Sequence, residues 1–275
     1  MFWFFTTERV SFLGGTWCNV KYGRVENSLQ EFAMTLTVAT FHVPSHRFAI
    51  EPHRYGGIRV PHTDLIPLFV SAIRRSSPQA RLVLLSCDAS IGTANLFDVV
   101  LNFQIDEDHL MLERLRCQRA LRAMTNGSIA FLDTDVLVFR PLEEVFRMNF
   151  DLAITVRDEP RHSREIHMPY NNGVWFLKGE KRADELGYFD HLIATNEAMP
   201  EDAYALGGNQ LAVVQSFGRR EAWDRFSKFG LDVLVLPCTQ FNHAPNSPDD
   251  VWENRHIMHF HGSYKNLMRR YADLA

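Results

Sequence analysis

From residue 35 to residue 132, apolar runs of strand length alternate with stretches of helical spacing, and few topologies accommodate that rhythm. Thr35-Leu-Thr-Val-Ala-Thr-Phe41 is β-branched and apolar, the composition of a buried strand. Leu65, Leu68, Phe69, Ala72 and Ile73 then recur at helical spacing over residues 63–75, and Ser76-Ser77-Pro78 supplies the stop. Arg81-Leu-Val-Leu-Leu-Ser86 reads as a second strand, and Asp98-Val-Val-Leu-Asn102 as a weaker third. Asp106-Glu107-Asp108 places negative charge before a helix predicted from about Leu110 to Met124, closed by Asn126-Gly127. Ser128-Ile-Ala-Phe-Leu132 is apolar throughout and bounded by turn residues, as a strand covered on both faces requires. The expectation is an α/β protein with a mostly parallel, doubly wound central sheet flanked by helices.

The second half is less regular. Strands are expected at residues 152–156, 173–177 and 233–236, and helices at 184–196 and 209–217. The polar stretches Arg157 to His167 and Asn242 to Arg255 read as long surface loops, which in a compact domain tend to carry function. Residues 1–33 mix aromatics, a Gly14-Gly15 pair and isolated charges without periodicity. They read as an N-terminal extension, with a single catalytic domain over 34–275. Composition narrows the chemistry. A net charge of −4 lacks the basic footprint of a nucleic-acid binder. No apolar run approaches the roughly 18 residues of a membrane helix. The four cysteines (Cys18, Cys87, Cys117 and Cys238) form no CxxC pair and read as reduced core residues. Met1-Phe-Trp-Phe-Phe5 lacks the basic start and the length of a signal peptide, so a cytoplasmic location is expected.

The sharpest local feature is Phe131-Leu-Asp-Thr-Asp-Val136. Asp133 and Asp135 follow the apolar strand two residues apart, so in extended chain they project to one side. Unpaired, two such carboxylates repel. A hard divalent cation that also binds phosphate oxygens removes the conflict. The carboxyl ends of the strands are where open α/β sheets bind ligands. The pattern also fits solvated turn residues, or a phosphohydrolase loop with Asp133 as nucleophile. In the latter case Leu137 stands where Thr or Val is wanted.

With Tyr170-Asn-Asn-Gly-Val174 and Ile257-Met-His-Phe-His-Gly-Ser-Tyr-Lys265 added, the chain resembles GT-A fold glycosyltransferases, most nearly family 8 with its glycogenin-like and lipopolysaccharide galactosyltransferase members. The resemblance covers about residues 35 to 268. It implies a hexosyl transfer from a nucleoside-diphosphate donor, UDP-linked, to a hydroxyl acceptor with retention. It implies Mn²⁺ or Mg²⁺ held by Asp133, Asp135 and His259, with Gly262 and Lys265 approaching the diphosphate. Asn171 and Asn172 match donor contacts, and Gln210 matches a residue beneath the reacting sugar; taken by itself, Asn171-Asn-Gly173 also reads as a turn with Gly173 at positive φ. An arginine of the helix before the acidic strand should also touch the donor. Arg116 fits by gap-free spacing, with Arg114 and Arg119 as competitors. On a helical wheel Arg114 borders the apolar stripe beside Leu121.

Three departures stand out. Asn209 occupies the place of the family's Asp beside Gln210, Asn266-Leu267 follows Lys265 in place of Pro-Trp, and the usual acidic nucleotide contact is missing where Thr40 and His42 stand. His259 and His261 alternate on an extended segment, so both can face the site, and His259 is the expected ligand. A mixed Asp, Asp, His ligand set favours Mn²⁺ over Mg²⁺, since imidazole is a poorer partner for Mg²⁺. The Asn209 substitution leaves room for a nucleotide-sugar-binding protein without transferase activity.

Overall fold

The computed structural model describes residues 7–11, 17–22, 35–44, 62–88, 92–160, 163–245 and 247–275. Much of the N-terminal segment and residues 161–162 of the first polar loop therefore lie outside the described residues. The strands in chain order are β1 (Thr7–Ser11), β2 (Trp17–Tyr22), β3 (Thr37–Phe41), β4 (Arg81–Ser86), β5 (Val99–Phe103), β6 (Ile129–Leu132), β7 (Val136–Val138), β8 (Leu152–Val156), β9 (Tyr170–Leu177), β10 (Arg225–Lys228), β11 (Leu231–Pro237) and β12 (Ile257–His259). The four longer helices are α1 (His62–Ser76), α2 (Leu110–Met124), α3 (Arg182–Glu197) and α4 (Glu201–Phe217).

Ten strands form one sheet in the order β1-β2-β5-β4-β3-β6-β9-β8-β11-β10, and β7 pairs with β12 in a separate antiparallel ribbon. The central run β5-β4-β3-β6 is parallel, as the alternating strands and helices of the first half require. β9 runs antiparallel between β6 and β8, and β11 returns parallel to β8. The sheet thus has a parallel centre and antiparallel flanks.

Period-two alternation explains the layering. On β6, Ala130 and Leu132 face a core that includes Leu65, Ile66 and Phe69 of α1 together with β7 and β12. Ile129 and Phe131 face the opposite core, built with Leu115 and Leu121 of α2 and Tyr188, Phe189 and Leu192 of α3. All four β6 side chains are buried, which accounts for the uninterrupted apolar run. Trp175 of β9 lies 5.6 Å from Phe131 and 5.4 Å from Phe189, centroid to centroid. Burying an aromatic of this size contributes about 1.5–3 kcal/mol.

α1 ends at Ser76 and α2 spans Leu110–Met124, as the spacing predicts, with the Asp106 side chain accepting the Asp108 N–H at 3.0 Å in the turn that precedes α2. Two expectations change. α4 begins at Glu201 and not at 209, carrying Gly207 and Gly208 inside it. Glycine costs a helix about 1 kcal/mol, but a Cβ at Gly208 would lie 3.0 Å from the Asn196 amide of α3, so close packing of the two helices selects glycine there. The stretch from Asn242 to Arg255 is not simply surface loop, since Asn242 and His243 are buried. Among the described residues no helix is long and apolar enough to cross a membrane.

The fully buried pair Arg122 and Glu185, 3.3 Å apart, ties α2 to α3. Arg122→Met strands the Glu185 carboxylate in the core, and a loss of about 3–5 kcal/mol is expected in denaturant titration. Adding Glu185→Leu should restore most of that loss; a neutral single variant would show that the pair carries nothing. Within the segment before residue 34, β2 covers the β5 edge over five residue pairs, Cys18↔Phe103 through Tyr22↔Val99. Deleting residues 1–33 bares that edge, and self-association should appear in size-exclusion chromatography with light scattering. A soluble, active monomer would instead mean that the hairpin is dispensable.

Candidate functional site

β6 delivers Asp133 at the carboxyl end of the parallel strands, where its backbone N–H donates to the Gly173 carbonyl at 2.8 Å. Asp135 follows after a turn and is buried. Register in the small ribbon then brings a distant segment alongside: His259 pairs with Val136, and the Phe260 N–H donates to the Asp135 carbonyl at 2.8 Å. Two segments more than a hundred residues apart thus share one site because β7 and β12 form a ladder.

The side chains form a charged network. The Arg114 Nη2 contacts Asp133 Oδ1 at 2.6 Å and also donates to the Asn172 carbonyl at 2.8 Å. Lys265 Nζ lies 3.1 Å from Asp135 Oδ2. His259 Nε2 lies 3.0 Å from Asp135 Oδ1 and 3.5 Å from Asp133 Oδ2. Its other nitrogen, Nδ1, is 2.8 Å from Asn242 Oδ1. The Asn242 amide is oriented by its Nδ2, which donates to Thr155 Oγ1 at 2.8 Å and to the Asn171 carbonyl at 3.0 Å. Asn242 Oδ1 therefore takes the Nδ1–H of His259, and Nε2 is the nitrogen turned toward the two carboxylates. Three acceptors in contact need a cation or a proton between them, and this is the donor set a divalent metal takes. Burial alone would raise the Asp135 pKa, but Lys265 and His259 outweigh it and hold the carboxyl well below its usual range.

His261 follows one residue beyond β12. Its ring centroid lies 3.6 Å from that of His259, and its Nε2 is 3.1 Å from Asn171 Nδ2. Burial, and then the neighbouring His259, push its pKa well below the ordinary value, so the ring is neutral at physiological pH. Asp135, His259 and His261 each place one ligand atom within 4.8 Å of the others.

The remaining sequence expectations distribute as follows. Asn171, Asn172 and Gly173 lie inside β9 and do not form a turn, and Gly173 does not adopt positive φ. The glycine is required by close approach, because a Cβ there would sit 2.2 Å from His259 Cε1 and 2.9 Å from Asp133 Oδ2. Asn172 Nδ2 donates to the Asn209 carbonyl at 3.0 Å, linking β9 to α4 next to half-buried Gln210. Gly262 opens the 3-10 turn Gly262–Leu267 that carries Lys265. Thr40 ends up at the same edge of the sheet as Asp133, since Ala39 pairs with Phe131, and its buried hydroxyl has no hydrogen-bond partner among the described residues.

The arginine that meets the acidic pair is Arg114. Arg116 instead binds Glu113 and Glu197, each at 2.6 Å, and Arg119 binds Asp190. Positions two apart on a helix point about 200° away from each other, so only one of Arg114 and Arg116 can face the site. Asn242 and Thr155, which orient His259, are residues that sequence reasoning missed. Nothing local marks either one, and Asn242 opens a polar stretch that looks like loop. Beside the site lies an open depression of about 470 Å³ whose walls include Arg157, Glu165, Asn171, Cys238, Asn242 and His261.

Gly173→Ala forces the His259 ring to move. The expected cost is about 1–3 kcal/mol in thermal or chemical unfolding. At Gly187 of α3 an added Cβ meets nothing within 4 Å, so Gly187→Ala serves as a control expected to stabilise by up to about 1 kcal/mol. Equal behaviour of the two variants would contradict the close approach.

No protein-family model and no curated protein matches the sequence. Solved structures do match in shape. A glycosyltransferase involved in glycosylation of the major capsid of PBCV-1 superposes with a TM-score of 0.52 at 12% identity, over 88% of this chain and 100% of that one. The galactosyltransferase LgtC, solved with donor and acceptor sugar analogues, gives 0.52 at 12% identity over 86% of this chain and 95% of its own. GlyE of Streptococcus pneumoniae TIGR4 gives 0.54 at 12% identity over 87% of this chain and 60% of its own. At that identity the likeness speaks to architecture, and the architecture of this chain is the GT-A fold of glycosyltransferases.

Proposed function

We propose that the chain is a metal-dependent glycosyltransferase that moves a hexose from a UDP-linked donor to a hydroxyl acceptor with retention of configuration. The observation that carries this reading is the Nε2 of His259, turned by Asn242 toward two carboxylates at the carboxyl end of the central strand. LgtC, of the same fold, was solved with donor and acceptor sugar analogues, which supports a sugar donor and acceptor for this chain. Asp135, His259 and the Oδ2 of Asp133 would hold the cation, Mn²⁺ or Mg²⁺. When bound, it supplies Lewis-acid charge to the diphosphate leaving group.

The chain's own residues divide the rest of the work. Lys265 adds a second positive charge where negative charge grows on the phosphate oxygens. Arg114 neutralises Asp133 and fixes the Asn172 backbone, and in this reading it takes the donor-contacting role that spacing gave to Arg116. Asn171 and Asn172 border the donor sugar. Gln210 and Asn209 lie beneath it on α4, and Gly262 lets the backbone approach the diphosphate. Thr40 offers its unpartnered hydroxyl to the nucleotide. Asn209 in place of a carboxylate leaves no acid beside Gln210 to act as base for the acceptor. A front-face transfer, in which the leaving phosphate itself accepts the acceptor proton, needs none.

The test is UDP-sugar hydrolysis with and without Mn²⁺, in wild type and in Asp135→Asn. Turnover should require the metal, and the variant should lose at least about 10²-fold in kcat. Metal-independent turnover, or full activity in the variant, would overturn the assignment. UDP binding without any turnover would identify a nucleotide-sugar-binding protein, and release of inorganic phosphate would identify a phosphohydrolase.

A further inference from the structure

We propose that His261 is itself a metal ligand, so that the cation site contains two imidazoles, those of His259 and His261, beside the Asp135 carboxylate. This rests on the metal-site reading above and goes beyond it. One nitrogen of each ring and one oxygen of Asp135 lie within 4.8 Å of one another, and this is the one such group of His, Cys, Asp and Glu side chains among the described residues. The backbone explains the convergence. Residues 259 and 261 flank Phe260, which is fully buried in the core, and alternation along extended chain returns His261 to the side of His259.

The hydrogen bonds define the state of the ring. Asn171 Oδ1 accepts the Gly173 N–H at 3.1 Å, which orients the amide so that its Nδ2 donates to His261 Nε2. His261 therefore offers an unprotonated nitrogen, and a cation taking that lone pair displaces a single amide hydrogen bond. The two rings, 3.6 Å apart centroid to centroid, can both act as Lewis bases toward one cation. Asp133 is placed less favourably for this. One of its oxygens is committed to Arg114 at 2.6 Å, and the other lies 3.5 Å from His259, farther than Asp135 does. A site with two imidazoles favours Mn²⁺ and Co²⁺ over Mg²⁺ more strongly than a site with one.

The competing account has His261 only positioning Asn171, and a spectroscopic readout separates the two. Pulsed EPR of Mn²⁺ bound to the wild-type protein, with no nucleotide present, should show two imidazole nitrogens coupled to the ion. His261→Leu should show one, with Mn²⁺ affinity lowered at least about tenfold, the lower end of what outer-shell partners alone contribute. Mg²⁺ affinity should fall less. Asn171→Ala should retain both nitrogens. A single coupled nitrogen in the wild type overturns the proposal whether or not any variant folds, as does unchanged Mn²⁺ affinity in folded His261→Leu. If a single nitrogen accompanies Mn²⁺-dependent UDP-sugar turnover, only the His261 assignment fails. If the protein binds no Mn²⁺, the metal-dependent transferase reading fails with it.

Discussion

The hydrogen bond from His259 to Asn242 determines the electrostatics of everything around it. An imidazole can present either nitrogen, and the choice is made from behind, by the group that takes the proton. Asn242 has no freedom in the matter, because its own amide is spent on Thr155 and the Asn171 carbonyl. The Nε2 of His259 is therefore turned toward Asp133 and Asp135. Arg114 and Lys265 each meet one of those carboxylates. The result is a dense group of two acids, two bases and an imidazole whose charges balance locally, in a chain whose overall charge is −4. Under the proposed function, the slight acidity of the whole molecule is compatible with a polyanionic donor because the charge the donor needs is local.

The scaffold makes that focus possible by uniting unrelated stretches of chain. β6 supplies one carboxylate through a strand buried on both sides, and the β7–β12 ribbon supplies the histidine through backbone pairing. β9 contributes from the other side with two asparagines and a bare glycine. Each contribution is anchored by main-chain hydrogen bonds, so the positions of the reactive groups are set by the sheet itself.

Much of this was legible in the sequence, and what was not has a physical cause. Elements governed by local periodicity were readable: α1, α2, β4 and β8 fall where apolar spacing and capping residues put them. Asp133, Asp135 and His259 were readable because each sits in a short motif with its own chemistry. Gly173 was misread because Asn-Asn-Gly has the local chemistry of a turn, whereas the strand partners on both sides of β9 and the incoming imidazole decide its conformation. The start of α4 was misread for the same reason, since the two glycines argue against helix until the packing of α3 is known. Arg116 was preferred to Arg114 by counting along the chain, when the deciding quantity is the face of the helix. Asn242 carries no local mark at all, and its importance lies wholly in what a tertiary neighbour does to an imidazole.

The bare backbone at Gly173 lets the His259 ring press directly against β9: where a methyl group would lie 2.2 Å from the ring, a water molecule has no room either. Covered on that face, the ring stands between two unlike carboxylates, since the Asp133 side chain is 27% exposed while Asp135 is buried. The acidic pair therefore has a wet member and a dry one, two residues apart in the chain.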